Sequence, residues 1–141
     1  NCLVKFSRCC TPVPGDDIIG FITRGQGVSI HRRDCANSRR LLSQPGNEGR
    51  CVDVEWAGKV DDSYQTTVVI TAKDRSGIVL DIAAVLNVLN AKVRTLSARD
   101  NGAGTAVTSV TLEVKDAAEL KYVMNRLSSI QGVISVARNG G

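Results

Sequence analysis

Four residues near the start of the chain have side chains that bind soft metal ions. Two adjacent cysteines, Cys9 and Cys10, are followed by the chain's only histidine, His31, and then by Cys35. Three thiolates and one imidazole suit tetrahedral zinc, and the spacing of His31 and Cys35 lets both ligands face one side of a turn or helix start. These four residues are therefore a candidate Cys3His zinc site.

The adjacent cysteines leave other interpretations open. Neighbours on a strand point to opposite faces, so both can bind one ion only if the chain kinks at Cys10, which Thr11-Pro12 would allow. Without a metal, one cysteine would be a core residue and the others would stabilise the fold or a docking surface. A thiol enzyme is the third interpretation, since a Cys–His pair can activate a nucleophile, but no oxyanion feature accompanies the pair.

Basic side chains cluster around the same segment. The chain carries 18 Lys and Arg against 14 Asp and Glu, and this modest excess permits contact with nucleic acid without demanding it. Guanidinium groups pair with phosphate oxygens through two hydrogen bonds, so these arginines are candidate RNA contacts. The alternative is an ordinary solvated basic face. The candidates are Arg24, Arg32, Arg33, Arg39 and Arg40.

The cysteine count and the absence of long apolar runs indicate the cellular compartment of the protein. Five cysteines are an odd number, whereas secreted disulfide frameworks favour even numbers, so we expect reduced thiols or a metal site in the cytoplasm. No apolar run approaches the roughly 20 residues of a membrane helix, and no secretion signal is recognisable, so we expect no membrane partner. The strand-like start Asn1-Cys2-Leu3 and the single methionine, Met124, suggest a piece of a longer protein.

The elements that must position these residues fall into two groups. Residues 1–58 are predicted to form a small β-rich module, followed by a polar linker at 59–65. The strands predicted for this module are residues 3–7, 18–23, 28–31 and 51–56. A short helix is predicted at 35–42, with Asp34 or Asn37 near its start.

The second group, residues 66–139, has a clearer periodicity. The strands predicted here are residues 66–72, 91–99, 105–114 and 133–137. A helix is predicted at 76–90, and Asp116 with Glu119 predicts the start of a second helix through a capping box. Val93 and Leu96 fall on opposite faces of their strand, which indicates a bulge. The order βαββαβ is the ferredoxin-like pattern, one sheet with two helices on one face, so the fold class is α+β.

The segment CCTPVPGDDIIGFITRGQGVSIHRRDCAN, residues 9–37, resembles the signature segment of the Rel/SpoT family, the bacterial (p)ppGpp synthetases and hydrolases. Adjacent cysteines, Pro-Gly-Asp, Gly-x-Gly-Val and His-Arg-x-Asp-Cys in one order make this motif specific. The second half resembles the family's ACT domain through its topology and its loop DRSGI, residues 74–78. Together they resemble the C-terminal regulatory region of the family.

This resemblance implies a non-catalytic fragment of a GTP pyrophosphokinase. The parent would make (p)ppGpp, and usually hydrolyse it, in catalytic domains that lie N-terminal to this region. The implied roles of the fragment are docking on ribosomal RNA and relaying regulatory signals to those catalytic domains. The resemblance also places the two cysteines, the histidine and Cys35 at the positions behind the family's zinc-finger label.

The ACT resemblance implies a second role, because ACT domains commonly pair side by side and many bind an amino acid at the pair's interface. The implied contacts are Asp74, Arg75, Ser76, Gly77, Ile78, Leu80, Asn90 and Val93. Their aliphatic surroundings favour a branched-chain ligand, valine or isoleucine. Two alternatives stay open: Gly77 serves only the turn, with Ser76 as a helix N-cap, or the fragment is purely a homodimerisation tail.

An RNA-recognition motif shares the βαββαβ topology and stacks bases on aromatic residues of its central strands. The corresponding strand here, residues 105–114, contains no Phe, Tyr or Trp. The sequence therefore argues against base stacking by this sheet.

Overall fold

The structure, a computed structural model, describes residues 4–23, 27–46, 48–56 and 63–139. Within these ranges the chain forms two four-stranded sheets and three α-helices. The first sheet contains β1 (Val4–Phe6), β2 (Ile18–Thr23), β3 (Gly27–Arg32) and β4 (Cys51–Val52), in the order β1-β3-β2-β4. The helix α1 (Ala36–Ser43) and a short 3-10 helix (Glu48–Arg50) lie between β3 and β4.

The first sheet is built on the antiparallel β2–β3 hairpin, and β1 joins it parallel to β3. The predicted strand at 51–56 was too long, because only its first two residues pair with β2. Trp56 leaves the ladder and donates its indole N–H to the carbonyl oxygen of Asp16 at 3.1 Å. Gly20 permits the close packing of this region, since a Cβ there would lie 2.8 to 3.1 Å from Val28, Val52 and Val54.

The second sheet carries the remaining elements. These are β5 (Tyr64–Lys73), α2 (Ile78–Val88), β6 (Lys92–Asp100), β7 (Thr105–Val114), α3 (Ala117–Ser128) and β8 (Val133–Arg138). The strands are all antiparallel in the order β6-β7-β5-β8, which confirms the ferredoxin-like prediction. The predicted bulge is present as a register shift between Val93 and Thr95, and Asp116 caps α3 by accepting the Glu119 N–H.

The predicted linker lies partly within the second sheet. Because β5 begins at Tyr64, the last two residues of the segment 59–65 belong to that strand. Residues 59–62 lie outside the described part of the chain. No helix among the described residues is long and apolar enough to cross a membrane.

The main core lies between the second sheet and helices α2 and α3. It includes Ile70, Ile82, Leu112 and Leu127, all with at most 1% of their surface exposed. Val13, from the turn after the paired cysteines, is fully buried in this same core. The first module therefore contributes an apolar side chain to the interior of the second, and the two halves share one core.

Hydrogen bonds fasten the same turn to the second half. The backbone N–H of Ala117, at the start of α3, donates to the Pro14 oxygen at 2.6 Å. Arg138, at the end of β8, forms an ion pair of 2.6 Å with Asp16 and also donates to the Thr11 oxygen. Both charged side chains are largely buried. The turn that follows the cysteine pair is thus held at the edge of the second sheet.

Candidate functional site

A tight turn brings the two adjacent cysteines to one side of the chain. The backbone N–H of Thr11 donates to the Ser7 oxygen at 2.9 Å, so the segment closes a helix-like turn. Thr11 has a φ of 42°, in the left-handed region, and this reverses the chain directly after Cys10. The kink on which joint ligation depends is therefore present, and the sulfur atoms of Cys9 and Cys10 lie 3.9 Å apart.

The other two residues of the set come from β3 and the start of α1. His31 lies on β3, with its Nδ1 atom 3.5 Å from Cys9 Sγ and 3.7 Å from Cys10 Sγ. Its ring contacts Phe21 edge-on, which fixes the ring plane. Cys35 is the N-cap residue of α1 and places its sulfur 3.6 Å from Cys9 Sγ. Three separate elements therefore converge on one point.

The spacing of these four ligand atoms fits a single metal ion. All four lie within 4.8 Å of one another, and the four separations given above run from 3.5 to 3.9 Å. An ion bonded to sulfur at about 2.3 Å in tetrahedral geometry separates two sulfurs by about 3.8 Å. The set is largely buried, with Cys9 the most accessible member. The cluster of Cys9, Cys10, His31 and Cys35 could hold a metal ion.

The protonation of the cluster differs from residue to residue. Burial raises the pKa of the Cys10 thiol to about 12. Burial by itself would also raise the pKa of Cys35, but hydrogen bonds from the Ser38 and Asn37 backbone and from the neighbouring thiols outweigh it, so that pKa is lowered. Burial lowers the pKa of His31, which keeps the imidazole neutral near pH 7. A neutral imidazole and a stabilised thiolate are the forms that bind metal.

A charged cleft of about 310 Å³ lies beside the cluster, and none of the four candidate ligands lines it. Its lining residues are Asp16, Asp17, Arg32, Arg33, Asp34 and Arg39. A thiol enzyme needs its nucleophile to face the space where a substrate binds. This cleft therefore gives no support to the thiol-enzyme interpretation.

Two of the five arginines predicted to contact RNA are engaged within the chain. Arg32 has 4% of its surface exposed and donates to the Asn139 oxygen at 2.6 Å, so it joins the two halves. Arg33 is partly exposed but is held by Asp17 and Asp53, each at 3.1 Å. Arg32 is thus placed as a structural residue, whereas Arg33 presents a neutralised charge.

The remaining arginines have different positions. Arg39 and Arg40 are exposed on α1, about one helical turn after the cluster residue Cys35. Arg40 donates a hydrogen bond to the Asn37 side chain. Because that side chain is a neutral amide, the positive charge of Arg40 is not neutralised. Arg24 lies outside the described residues. Helix α1 therefore presents two adjacent guanidinium groups to solvent at a position fixed by the cysteine–histidine cluster.

The residues proposed for an amino-acid ligand occupy two separate places. An open cleft of about 290 Å³ at the start of α2 is lined by Asp74, Arg75, Gly77, Ile78 and Leu80, but not by Ser76. Gly77, with a φ of 82°, is the N-cap of α2, so Ser76 does not cap this helix. Arg75 is tied to Asp81 and to the Gln131 oxygen.

Asn90 lies just after the opposite end of α2 and lines a different cleft. Val93, on β6, does not line that cleft but follows its lining residue Lys92. Since α2 has 11 residues, about 16 Å separates the two places. Asn90 adopts a φ of 54°, which completes the turn into β6. The two groups can therefore meet only between two copies of the chain.

Sequence reasoning missed the residues that join the halves. Thr11 Oγ1 lies 2.8 Å from Thr66 Oγ1 and donates to Asn139 at 2.9 Å, beside the Asp16–Arg138 ion pair. Thr66 and Arg138 sit in strands whose pattern concerns only the second sheet. No periodic signal connects them to a turn that lies more than 50 residues earlier.

Comparisons with known families match both halves of the chain. The model of the RelA/SpoT RIS domain matches residues 1–57, and that of an ACT domain matches residues 61–138. The two matches follow the two sheets of the structure.

Comparisons with curated proteins match nearly the whole chain. A GTP pyrophosphokinase of Streptomyces coelicolor is 41% identical over 140 residues, which is 96% of this chain and 16% of that protein. The bifunctional (p)ppGpp synthase/hydrolase RelA of Mycobacterium tuberculosis is 36% identical over 141 residues, 96% of this chain and 18% of that protein. The chain thus spans less than a fifth of the length of these relatives.

Comparisons with solved structures match the second half. The crystal structure of the ACT domain of a Chlorobium tepidum GTP pyrophosphokinase is 23% identical with a TM-score of 0.50. The match covers 55% of this chain and 99% of that one. This likeness supports the fold of residues in the second sheet.

Proposed function

Because the chain belongs to the Rel/SpoT family, with a RIS domain followed by an ACT domain, we propose that it docks a (p)ppGpp synthetase or hydrolase on ribosomal RNA. The two domains are regulatory, and the catalytic domains to which they would relay the signal belong to the parent protein. The RIS-type module supplies the RNA contact, and the ACT domain links it to the rest of the parent.

The exposed pair Arg39 and Arg40 on α1 carries this proposal. Guanidinium groups bind phosphate oxygens through two hydrogen bonds, and two adjacent ones can follow a phosphate backbone. The cluster that includes Cys35 fixes the start of this eight-residue helix. Arg33 adds a third guanidinium, which phosphates can reach by displacing Asp17 and Asp53 from its surface ion pairs.

Zinc bound by Cys9, Cys10, His31 and Cys35 would stabilise the fold of the RIS-type module. When bound, it supplies structural cross-linking between the cysteine turn, β3 and α1, rather than chemistry on a substrate. Metal analysis of chelator-free protein should give about one equivalent. A metal-free preparation whose first module is unchanged would contradict this assignment.

Sedimentation with purified ribosomes tests the docking proposal itself. The chain should pellet with ribosomes at low salt, and its affinity should fall steeply as salt rises, because phosphate contacts release counterions. Serum albumin in the same tubes controls for trapping in the pellet. Absence of binding at low salt would contradict the proposal.

Amino-acid sensing by an ACT homodimer is the second candidate. The supporting observation is the open cleft beside Gly77, where an added Cβ would meet no atom within 4 Å. Leu80, beside it, keeps 74% of its surface exposed, which suits contact with a branched-chain ligand or a second copy. The free N–H groups at the start of α2 would bind the ligand's carboxylate.

A further inference from the structure

Three of the chain's five aromatic residues meet where the two halves join. Phe6, on β1, stacks on Trp56 with 5.5 Å between ring centroids and 9° between ring planes. Tyr64, the first residue of β5, contacts both rings edge-on, at 5.9 Å and 5.4 Å. The bond from the Trp56 indole to the Asp16 oxygen anchors this aromatic stack to the junction.

The aromatic stack is open to solvent. Phe6 keeps 45% of its surface exposed, although Trp56 covers it on one side. Its orientation is nevertheless fixed, since two other rings contact it. Proteins that bind single-stranded RNA use such exposed, immobilised rings to stack unpaired bases, because every base has an apolar face.

A cleft of about 390 Å³ is lined by neighbours of Tyr64, although none of the three rings of the aromatic stack lines it. Ser63, which precedes Tyr64, lines this cleft, and so does Val114, the β7 residue paired with Tyr64. Lys92 and Lys115 lie at its rim, both exposed. Neither ammonium group makes a hydrogen bond or ion pair with any residue in the described ranges.

The acidic residues of the same rim are already engaged. Glu113 pairs with Arg94 at 3.3 Å and accepts a hydrogen bond from Ser63 at 2.8 Å. Glu119 accepts the backbone N–H of Lys115 at 3.0 Å. Glu119 keeps its negative charge, because a backbone N–H does not neutralise a carboxylate, whereas the charge of Glu113 is balanced by Arg94. The two unpaired lysines still outnumber this one carboxylate, so a ligand with negative charge and an apolar face complements the surface.

We propose that the aromatic stack and the adjoining lysine cleft bind one unpaired RNA base together with its neighbouring phosphates. The base stacks on the open face of Phe6, while Lys92 and Lys115, which both line the cleft, contact the phosphates that follow it. This inference rests on the proposed RNA docking and adds a second contact of different chemistry. The contact on α1 involves phosphates alone, whereas this one requires a base.

The chain's single tryptophan makes the contact directly measurable, because Trp56 belongs to the aromatic stack. The probe is an oligoadenylate RNA of eight nucleotides. The matched abasic probe has the same sugar–phosphate backbone without any bases. Oligoadenylate should quench the Trp56 fluorescence and saturate, and the abasic probe should bind at least fivefold more weakly. That ratio corresponds to the lower end of base–aromatic stacking.

Variants separate stacking from charge. Phe6→Leu should lower the affinity for oligoadenylate roughly tenfold without changing its salt dependence, and Phe6→Tyr should retain it. Replacing Lys92 and Lys115 by Gln should reduce the log–log salt slope by roughly 1.4, about 0.7 for each contact. Ile134→Ala is the control, since Ile134 is 57% exposed at the other end of the β5–β8 pair and should change nothing.

Equal binding of the two probes, or an unchanged affinity in a folded Phe6→Leu variant, would overturn the inference. If Phe6→Leu loses its fold, the Phe6→Tyr variant and the abasic probe still decide the question. Ribosome binding that persists without any difference between the probes would overturn the stacking site alone and leave docking by α1 intact. If the parent chain binds neither ribosomes nor oligoadenylate, both proposals are overturned.

Discussion

The thiols and imidazole of the cluster differ in protonation before any metal binds, and this difference has a measurable consequence. Cys10, whose pKa burial raises to about 12, carries its proton at pH 7. His31, whose pKa is lowered by burial, is already neutral there. A metal ion must therefore displace the Cys10 proton but none from His31.

Zinc binding should release at least one proton at pH 7, and the affinity should rise as the pH rises from 6.5 to 8. The affinity should rise with pH because a larger fraction of the Cys10 thiol is deprotonated at higher pH, and the thiolate is the form that binds zinc. Calorimetric titration in buffers of different ionisation enthalpy counts the released protons. Proton uptake, or an affinity that falls over this interval, would contradict the structure of the cluster.

The sequence predicts this candidate ligand set because few residue types bind soft metals, and the structure brings its four members together. The kink at Thr11 is also predictable, since joint ligation by neighbouring cysteines requires one. The different roles of Arg32 and Arg33 are not predictable. Burial of Arg32 depends on Asn139, which is 107 residues away, and no local pattern reveals that contact.

Helix α2 connects two surfaces that the ACT resemblance assigns to one ligand. Its first turn exposes Leu80 beside the open cleft at Gly77, and its last turn exposes Val88. Gly77 is a poor position for a test variant, because its φ of 82° strains any other side chain whether or not a ligand binds. Leu80 is the better choice.

Leu80→Ala should weaken valine or isoleucine binding several-fold, since a ligand that covers the exposed Leu80 side chain would lose an aliphatic contact of about 1 kcal/mol. Leu42→Ala, at an exposed position of α1 in the first module, is the control and should bind like the parent chain. Calorimetric titration with both amino acids and with alanine provides the measurement. If valine gives no more heat than alanine, the amino-acid candidate fails.

Most elements follow from periodicity, and β2 and β7 have their predicted bounds. The exception at element scale is β4, where an alternating pattern predicted six residues and two are found. Alternation cannot show that Trp56 bonds to Asp16 rather than extending the ladder. The aromatic stack is invisible for the same reason, because its rings lie up to 58 residues apart in sequence.

The two halves of the molecule are joined by a buried ion pair and a shared core. Asp16 and Arg138 have side chains only 9% and 14% exposed, and Val13 is buried among the residues of the second half. The polar composition of residues 59–65 predicts a linker between two domains. It cannot predict this joint, since an apolar residue in a Pro-rich turn carries no periodic signal.

Arg138→Leu should lower the free energy of unfolding by about 3–5 kcal/mol, because it leaves the Asp16 carboxylate buried without its partner. The double variant Arg138→Leu/Asp16→Asn should recover part of that loss, because the remaining side chain no longer carries a charge. Chemical denaturation of the two single variants, the double variant and the parent chain gives the coupling energy. A loss below 1 kcal/mol for Arg138→Leu would show that the halves are not joined through this pair.

The proposed docking of the first module on RNA depends on the exposed arginines of α1. The most direct test is ribosome binding by Arg39→Glu/Arg40→Glu as a function of salt. The matched control is Lys121→Glu/Arg126→Glu, which makes the same change of charge at exposed positions of α3. The Arg39 backbone bonds to the Cys35 oxygen, but no side chain of either pair contacts the cysteine–histidine cluster, so the fold of both variants should be kept.

Charge reversal on α1 should weaken binding and reduce the log–log salt slope by about 1.4–1.8, the value for two lost phosphate contacts. The α3 reversal should leave the slope unchanged and alter the affinity only slightly. An unchanged affinity and slope in the α1 variant, or equal losses in both variants, would contradict the claim.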